Sequence, residues 1–241
     1  LIHNAGEILS WPENPAAFTI LLNAAGISWT LASDDPAYDG VNYGLFYDDM
    51  QLARIALKHA EVAKKLNVKK IVMGECGHQH KALMTIADRI LVDDMNIPRE
   101  SSMTFLEELV FGGKIKFDPS KNDFPVTLHD PCNIVRNLGI VEPQRRILRH
   151  LCPQFREMTP HGVDNYCCGG GSGLVSLDET YDFRMKVSGK TKAEQLRASG
   201  AQIVATPCAN CKKQLRELVD FYKLPMQVVG VHDLVLRAME F

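Results

Sequence analysis

The stretch Ile71-Val72-Met73-Gly74-Glu75-Cys76-Gly77-His78-Gln79-His80-Lys81 can be laid without gaps over Ile203-Val204-Ala205-Thr206-Pro207-Cys208-Ala209-Asn210-Cys211-Lys212-Lys213, so that Cys76 matches Cys208 and Gln79 stands where the second copy has Cys211. Segments with apolar residues at helical spacing, 52–66 and 185–198, precede the two copies, and each copy opens on a short β-branched run of strand type. A chain that repeats a helix–strand–loop unit in this way reads as an α/β protein made of two related domains with short, mostly parallel sheets. The apolar pattern breaks at 112–125, where Gly112-Gly113-Lys114 and Asp118-Pro119-Ser120-Lys121-Asn122-Asp123 mark turns. The expected domains are therefore residues 1–115 and 124–241.

In the second copy, residues 124–128 read as a strand ending at His129, residues 202–206 as a strand leading to Cys208, and residues 211–222 as a helix. This arrangement sets Cys132 and Cys208 just past the carboxyl ends of strands, where α/β folds build their sites. In the first copy, Phe18-Thr19-Ile20-Leu21-Leu22 reads as a short strand, and Ala24-Ala25-Gly26 falls roughly where the second has Cys167-Cys168-Gly169. At 46% hydrophobic the chain can bury one good core or two small ones, and 27 basic against 29 acidic residues give no reason to expect a nucleic-acid partner. No apolar run approaches the roughly 20 residues needed to cross a bilayer, so membrane association would have to come through a partner.

Five of the seven cysteines fall in three turn-like settings, His129-Asp130-Pro131-Cys132, Tyr166-Cys167-Cys168-Gly169 and Thr206-Pro207-Cys208-Ala209-Asn210-Cys211. Cysteines that serve only as small buried hydrophobes belong in apolar strands or on helix faces, whereas the Pro and Gly here mark turns. The odd cysteine number and the chain length argue against a disulfide framework. Zinc needs four ligands and would leave a fifth thiolate spare. Adjacent cysteines are poorly placed to chelate one small ion together, because successive side chains of an extended chain point to opposite sides. The chemistry thus favours an iron–sulfur centre, with a zinc-bound module as the alternative, since soft thiolates suit both.

The run Gly169-Gly170-Gly171-Ser172-Gly173 lacks the Gly-Lys-Ser/Thr ending of a phosphate loop and the spaced glycines of a dinucleotide site. Its glycines instead suit a backbone that approaches a cluster closely and donates N–H groups to it. Helix amino termini after Cys132 and Cys208 would add positive partial charge. His129, beside Asp130 and Cys132, is a candidate hydrogen-bond partner or proton carrier, with a structural turn role as the alternative. Cys76 is either a buried leftover thiol or functional, and His78 and His80 either serve a substrate or are solvated helix residues. His161 could approach the site through the loop to Cys167. His232 reads as a helix cap, Cys152 as structural, and Lys212, Lys213 and Arg216 as solvated helix residues or attractors of an acidic partner.

The order Cys132, then Cys167-Cys168-Gly169, then Cys208-x-x-Cys211 resembles the cysteine-rich CCG domain of heterodisulfide reductase catalytic subunits. Together with Ile97-Pro98-Arg99-Glu100-Ser101-Ser102, Leu128-His129-Asp130-Pro131-Cys132-Asn133 and Cys168-Gly169-Gly170-Gly171-Ser172-Gly173, the whole chain is similar to DsrK-like subunits of the membrane complex associated with dissimilatory sulfite reduction. The resemblance implies an intact CCG domain over 124–241 and a degenerate one over 1–115. It further implies a noncubane 4Fe-4S cluster on Cys132, Cys167, Cys168, Cys208 and Cys211, with Gly169 beside it and His129 as a catalytic candidate. Implied partners are a cytochrome b-type menaquinol-oxidising membrane subunit and a DsrC-like small protein that carries the disulfide or trisulfide substrate. The implied location is the cytoplasmic face of the inner membrane. The opening Leu1-Ile2-His3-Asn4 is neither a signal nor a transit peptide, and the expectation is a preceding ferredoxin-like portion with cubane 4Fe-4S clusters. The CCG pattern also occurs in iron–sulfur subunits of glycolate and lactate oxidation systems, where the module relays electrons.

Overall fold

A computed structural model describes residues 10–33, 48–86, 89–171 and 173–240. The opening residues 1–4 and Ser172 of the glycine run lie outside the described residues. The elements run α1 (Glu13–Ala24), α2 (Asp49–Lys65), β1 (Ile71–Met73), α3 (Gly77–Lys81), β2 (Arg99–Ser101), α4 (Ser102–Phe111), β3 (Val126–Leu128), α5 (Cys132–Leu138) and α6 (Pro143–Leu151). They continue with α7 (Lys190–Ser199), β4 (Ile203–Ala205), α8 (Ala209–Phe221), β5 (Gln227–Val229) and α9 (Val231–Ala238). The fold is α/β with short parallel sheets: β1 pairs with β2, and β3, β4 and β5 lie side by side in that order.

The repeat is visible in the backbone. β1 leads through Glu75 and Cys76 into α3, and β4 leads through Pro207 and Cys208 into α8, with each cysteine as the extended residue that caps its helix (φ −132°, ψ 111° at Cys76; φ −153°, ψ 117° at Cys208). Both units then supply a parallel partner strand and a helix, β2–α4 in one and β5–α9 in the other. Local chemistry sets the boundaries. The Asp48 carboxylate accepts from Met50 N–H at 2.8 Å to start α2, the Ser101 hydroxyl accepts from Met103 N–H at 3.1 Å to start α4, and left-handed glycines end α5 at Gly139 (φ 69°) and α7 at Gly200 (φ 62°).

Residues 18–22 are not a strand but the middle of α1. Burial of Asn14, Ala17, Phe18, Leu21 and Leu22, with Ile20 on the open side, follows the helical period along the whole element. A five-residue run with four apolar members, read alone, does not separate the two periodicities. Ala24-Ala25-Gly26 is accordingly the end of this helix, with Gly26 left-handed at φ 65°, and no strand leads into it.

One apolar cluster draws on both halves: Phe18, Leu21, Met103 and Leu106 pack with Val126, Leu128, Leu148 and Val235. The joint at 112–125 is tied down as well. Asp118 N–H donates to Ala238 O (2.7 Å), and the buried Asn122 amide donates to Leu151 O (3.1 Å) and Leu234 O (2.9 Å). Two further clusters belong to one half each, around Leu52, Ile55 and Met73 and around Met185, Leu196, Val204 and Leu215. The last of these also contains Cys168, Cys208 and Cys211, which places the thiols at the rim of a packed core. Among the described residues no helix is long and apolar enough to cross a membrane.

Candidate metal centre

Three loops at the carboxyl ends of β3 and β4 deliver the cysteines. After β3, Pro131 turns the chain so that Cys132 is the first residue of α5. After β4, Cys208 caps α8 and Cys211 stands in its first turn. Between them, the loop carrying Cys167 and Cys168 closes on Gly169, whose φ of 88° and proximity to Ser188 exclude a side chain: a Cβ there would lie 2.6 Å from the Ser188 carbonyl. The Ser188 hydroxyl donates to Gly169 O at 2.8 Å and pins this loop to the segment before α7.

All seven cysteines are free thiols, and five of them line one cleft together with Gly77, His78, Asn133, Gly171 and Asn210. The five sulfurs form one chain of contacts. Cys132 meets Cys167, Cys167 meets Cys168, the Cys168 and Cys211 sulfurs are 3.5 Å apart, and Cys211 meets Cys208. Cys167 is exposed and Cys132 partly so, whereas Cys168, Cys208 and Cys211 are buried.

Thiols this close cannot all ionise by themselves. Hydrogen bonds from Cys132 and Cys168, helped by the Gly169 N–H, hold Cys167 far below its ordinary range. The same contact with Cys167, added to burial, pushes Cys132 up, and Cys168 is raised to about 12 for the same reasons. The hydrogen bond from Cys211 lowers Cys208, with the Gly77 N–H contributing, while contacts with Cys168 and Cys208 raise Cys211 well above its usual value. A soft cation would take the place of these shared protons, because thiolate is the ligand form.

His129 is fully buried, and burial together with the charge of Lys192 holds it neutral, well below its ordinary range. A ring nitrogen of His129 and the sulfurs of Cys168 and Cys211 lie within 4.8 Å of one another. Its Nε2 has no hydrogen-bond partner among the described residues. A buried orphan donor or acceptor is costly, so this atom, together with five sulfurs linked in a chain of contacts, fits a site built around a bound group.

The support is a set of buried polar side chains. Asp130 takes two bonds from Arg145 (2.8 and 2.5 Å) and one from Gly162 N–H (2.7 Å), which fixes the turn between β3 and Cys132. Arg136 donates to Val163 O (2.6 Å) and to Asn165 O, holding the loop that precedes Cys167. His161 bonds to Met158 O, is exposed and does not line the cleft. Lys192 is wholly buried, and desolvation brings it down to about 8 against the pull of Cys168 and Cys211.

Neither Lys212 nor His80 is a solvated helix residue. Lys212 is buried and donates to Asn14 Oδ1 at 2.5 Å, with Glu75 Oε2 at 3.7 Å; Glu75 Oε1 in turn lies 2.5 Å from His232 Nδ1. His80 is buried between Cys76 O and Ser101 Oγ, both at 2.9 Å. His232 is likewise more than a cap: Asp233 accepts from Gly230 N–H in that role, and His232 reaches across to Glu75 in the other half. Lys213 is exposed and donates to Val175 O, and Arg216 stacks 4.0 Å from the centre of the Trp11 ring. Cys152 packs in the core away from the cleft, and burial raises it to about 12.

The first half also forms part of the site. Ala209 N–H donates to Glu75 O at 2.7 Å, and a Cβ on Gly77 would stand 3.2 Å from Asn133 Cβ and 3.8 Å from Cys208 Sγ. Cys76 itself is buried at the cap of α3, and it does not line the cleft.

Residues 126–216 match the family model of CCG, the cysteine-rich domain. The chain is 29% identical over 240 residues to the Hdr-like menaquinol oxidoreductase iron-sulfur subunit of Archaeoglobus profundus, an overlap that covers 84% of this chain and 43% of that protein. It is 27% identical over 223 residues to a subunit of the dihydromethanophenazine:CoB–CoM heterodisulfide reductase of Methanosarcina acetivorans (91% of this chain, 53% of that protein). With the EtfAB:quinone oxidoreductase of Syntrophomonas wolfei it shares 25% identity over 231 residues (93% of this chain, 32% of that protein). The chain is homologous to the Hdr-like iron-sulfur subunits and to this heterodisulfide reductase subunit, and spans about half the length of these curated relatives (43% and 53%).

Proposed function

We propose that this chain is the catalytic part of a heterodisulfide-reductase-like iron–sulfur subunit. In this reading it holds a noncubane 4Fe-4S cluster on Cys132, Cys167, Cys168, Cys208 and Cys211 and reduces a disulfide or trisulfide. The observation that carries the reading is the unbroken chain of contacts linking five sulfurs that line a single cleft, with Cys167 exposed in it. A tetrahedral ion would use four of these sulfurs and leave the fifth idle. When bound, such a cluster supplies single electrons and an iron site that can take a substrate sulfur.

The protein's own groups do the remaining work. The N–H groups of Gly169, Gly170 and Gly77 donate to Cys167, Cys168 and Cys208 and stabilise the thiolate form of the ligands. His78, Asn133 and Asn210 border the cleft where a substrate sulfur would enter. Splitting an S–S bond to two thiols consumes two electrons and two protons, and His129 is the catalytic candidate nearest the buried sulfurs.

The wider assignment follows the resemblance to DsrK-like subunits. Electrons would come from a cytochrome b-type menaquinol-oxidising membrane subunit through cubane 4Fe-4S clusters elsewhere in the subunit, and the substrate sulfurs would be carried by a DsrC-like small protein in sulfite or sulfate metabolism. The chain would then sit peripherally on the cytoplasmic face of the membrane. The test is anaerobic purification from the native source, with iron, acid-labile sulfide and zinc quantified and electron paramagnetic resonance recorded after oxidation with and without thiol. About four irons with a thiol-sensitive signal support the reading; stoichiometric zinc without iron overturns it.

A further inference from the structure

Lys192 projects from α7 into the interior, and its ammonium hydrogen-bonds only neutral groups: Asn165 Oδ1 at 2.8 Å and Gln195 Oε1. The nearby carboxylate, Asp130, is already held by Arg145 and the Gly162 N–H. A buried cation with amide acceptors alone needs negative charge close by, and Cys168, Cys211, Asp130 and Cys167 all contribute to that attraction.

An ammonium can only donate, so Asn165 must turn its Oδ1 toward Lys192. Its Nδ2 then donates to Asp130 O at 2.9 Å and faces His129 Nδ1 at 3.4 Å. Flipping this amide would set NH2 against ammonium and one oxygen against another, so its partners fix its orientation. Because Nδ2 carries only hydrogens, His129 Nδ1 must accept. A neutral imidazole whose Nδ1 accepts carries its proton on Nε2. That Nε2 is buried and lacks a partner among the described residues, and the ring stands beside the sulfurs of Cys168 and Cys211.

We propose that Lys192 and Asn165 are positioning residues that hold His129 as an Nε2–H donor to the sulfur of the bound centre, so that His129 hydrogen-bonds the centre and does not ligate its metal. A nitrogen that keeps its proton has no lone pair for a cation. The N–H bond and the buried Lys192 charge act in the same direction, favouring the electron-richer state of the centre and raising its potential. This inference rests on the reading of the five cysteines as thiolate ligands and is independent of which sulfur compound is reduced.

The test uses the metal-loaded protein labelled with 15N-histidine. In the paramagnetic state, electron–nuclear double resonance is expected to show an exchangeable proton coupling that disappears in D2O and only weak 15N coupling. Strong 15N coupling from a directly bound imidazole would overturn the assignment, and this measurement needs no variant. In K192M with full iron content the midpoint potential falls by at least the ~59 mV that corresponds to a tenfold change in a one-electron equilibrium, and K192R restores it. An unchanged potential in K192M refutes the role of Lys192. Should the protein hold zinc, which refutes the redox function, long-range 15N–1H NMR of the zinc form reads the tautomer: Nε2–H sustains the inference and Nδ1–H refutes it. Loss of disulfide reduction with these signatures intact would count against the function alone.

Discussion

The Glu75–His232 pair yields a prediction about pH. Burial by itself would push His232 down, but the Glu75 charge and the hydrogen bonds to Asp233 and Glu75 outweigh it and raise the ring to about 9. A group whose pKa is raised on folding contributes stability that is fully present below its unfolded value and is lost as pH rises through its folded one. Here the window runs from about 6.5 to about 9. At about 1.36 kcal/mol per unit, the shift from 6.5 to about 9 amounts to about 3 kcal/mol. Lys192, at about 8, titrates in the same range with its own sign, so the informative quantity is the difference between the wild type and His232→Gln. Urea unfolding of both at matched metal content, at intervals from pH 6 to pH 9.5, is expected to show the wild-type advantage shrinking by about 3 kcal/mol as pH rises. Parallel stability curves for the two proteins across that range would refute the argument.

Other perturbations separate the parts of the site. Gly169→Ala places a side chain at φ 88° and 2.6 Å from the Ser188 carbonyl, so thermal stability falls by at least the ~1–2 kcal/mol of a left-handed alanine, with a parallel loss of bound metal; an unchanged melting point contradicts the geometry. Cys168→Ala and Cys211→Ala each sharply reduce metal content, whereas Cys152→Ala, in the core away from the cleft, leaves it intact; metal analysis of the three proteins decides. Arg145→Met strands the buried Asp130 carboxylate and costs about 3–5 kcal/mol. Adding Asp130→Leu returns part of that loss, which a double-mutant cycle in urea measures.

Much of this architecture can be read from the chain because it depends on turns and repeats. Pro131, Gly169 and the Cys208-x-x-Cys211 spacing mark the three ligand loops, and the gapless internal repeat aligns β1–α3 with β4–α8. Residues 18–22 mislead because so short a run, four of its five residues apolar, satisfies either periodicity; only the burial of Asn14 and Ala17 on the same face identifies the helix. The charged core is harder to anticipate, since lysine is ordinarily a surface residue. Lys192 shares its face with Leu196 and Lys212 shares its face with Leu215, so helical spacing carries a signal of their burial. What spacing cannot supply is the partner: Asn14 and Glu75 meet Lys212 from distant parts of the chain, and His232 meets Glu75 in turn.

Gly77 and Gln79 occupy equivalent places in the first copy to Ala209 and Cys211 in the second, yet they do not carry equal constraint. The first-copy loop has no ligand set of its own, but its glycine supplies an N–H to Cys208 and a flat surface against Asn133. The tolerance of this loop to change is therefore dictated by a neighbour's chemistry. A side chain at position 77 would wedge the two helix starts apart and loosen Cys208, while Gln79, outside the cleft, has no such duty toward the sulfurs. The first half thus serves as one wall of the mould that brings the second half's five cysteines together.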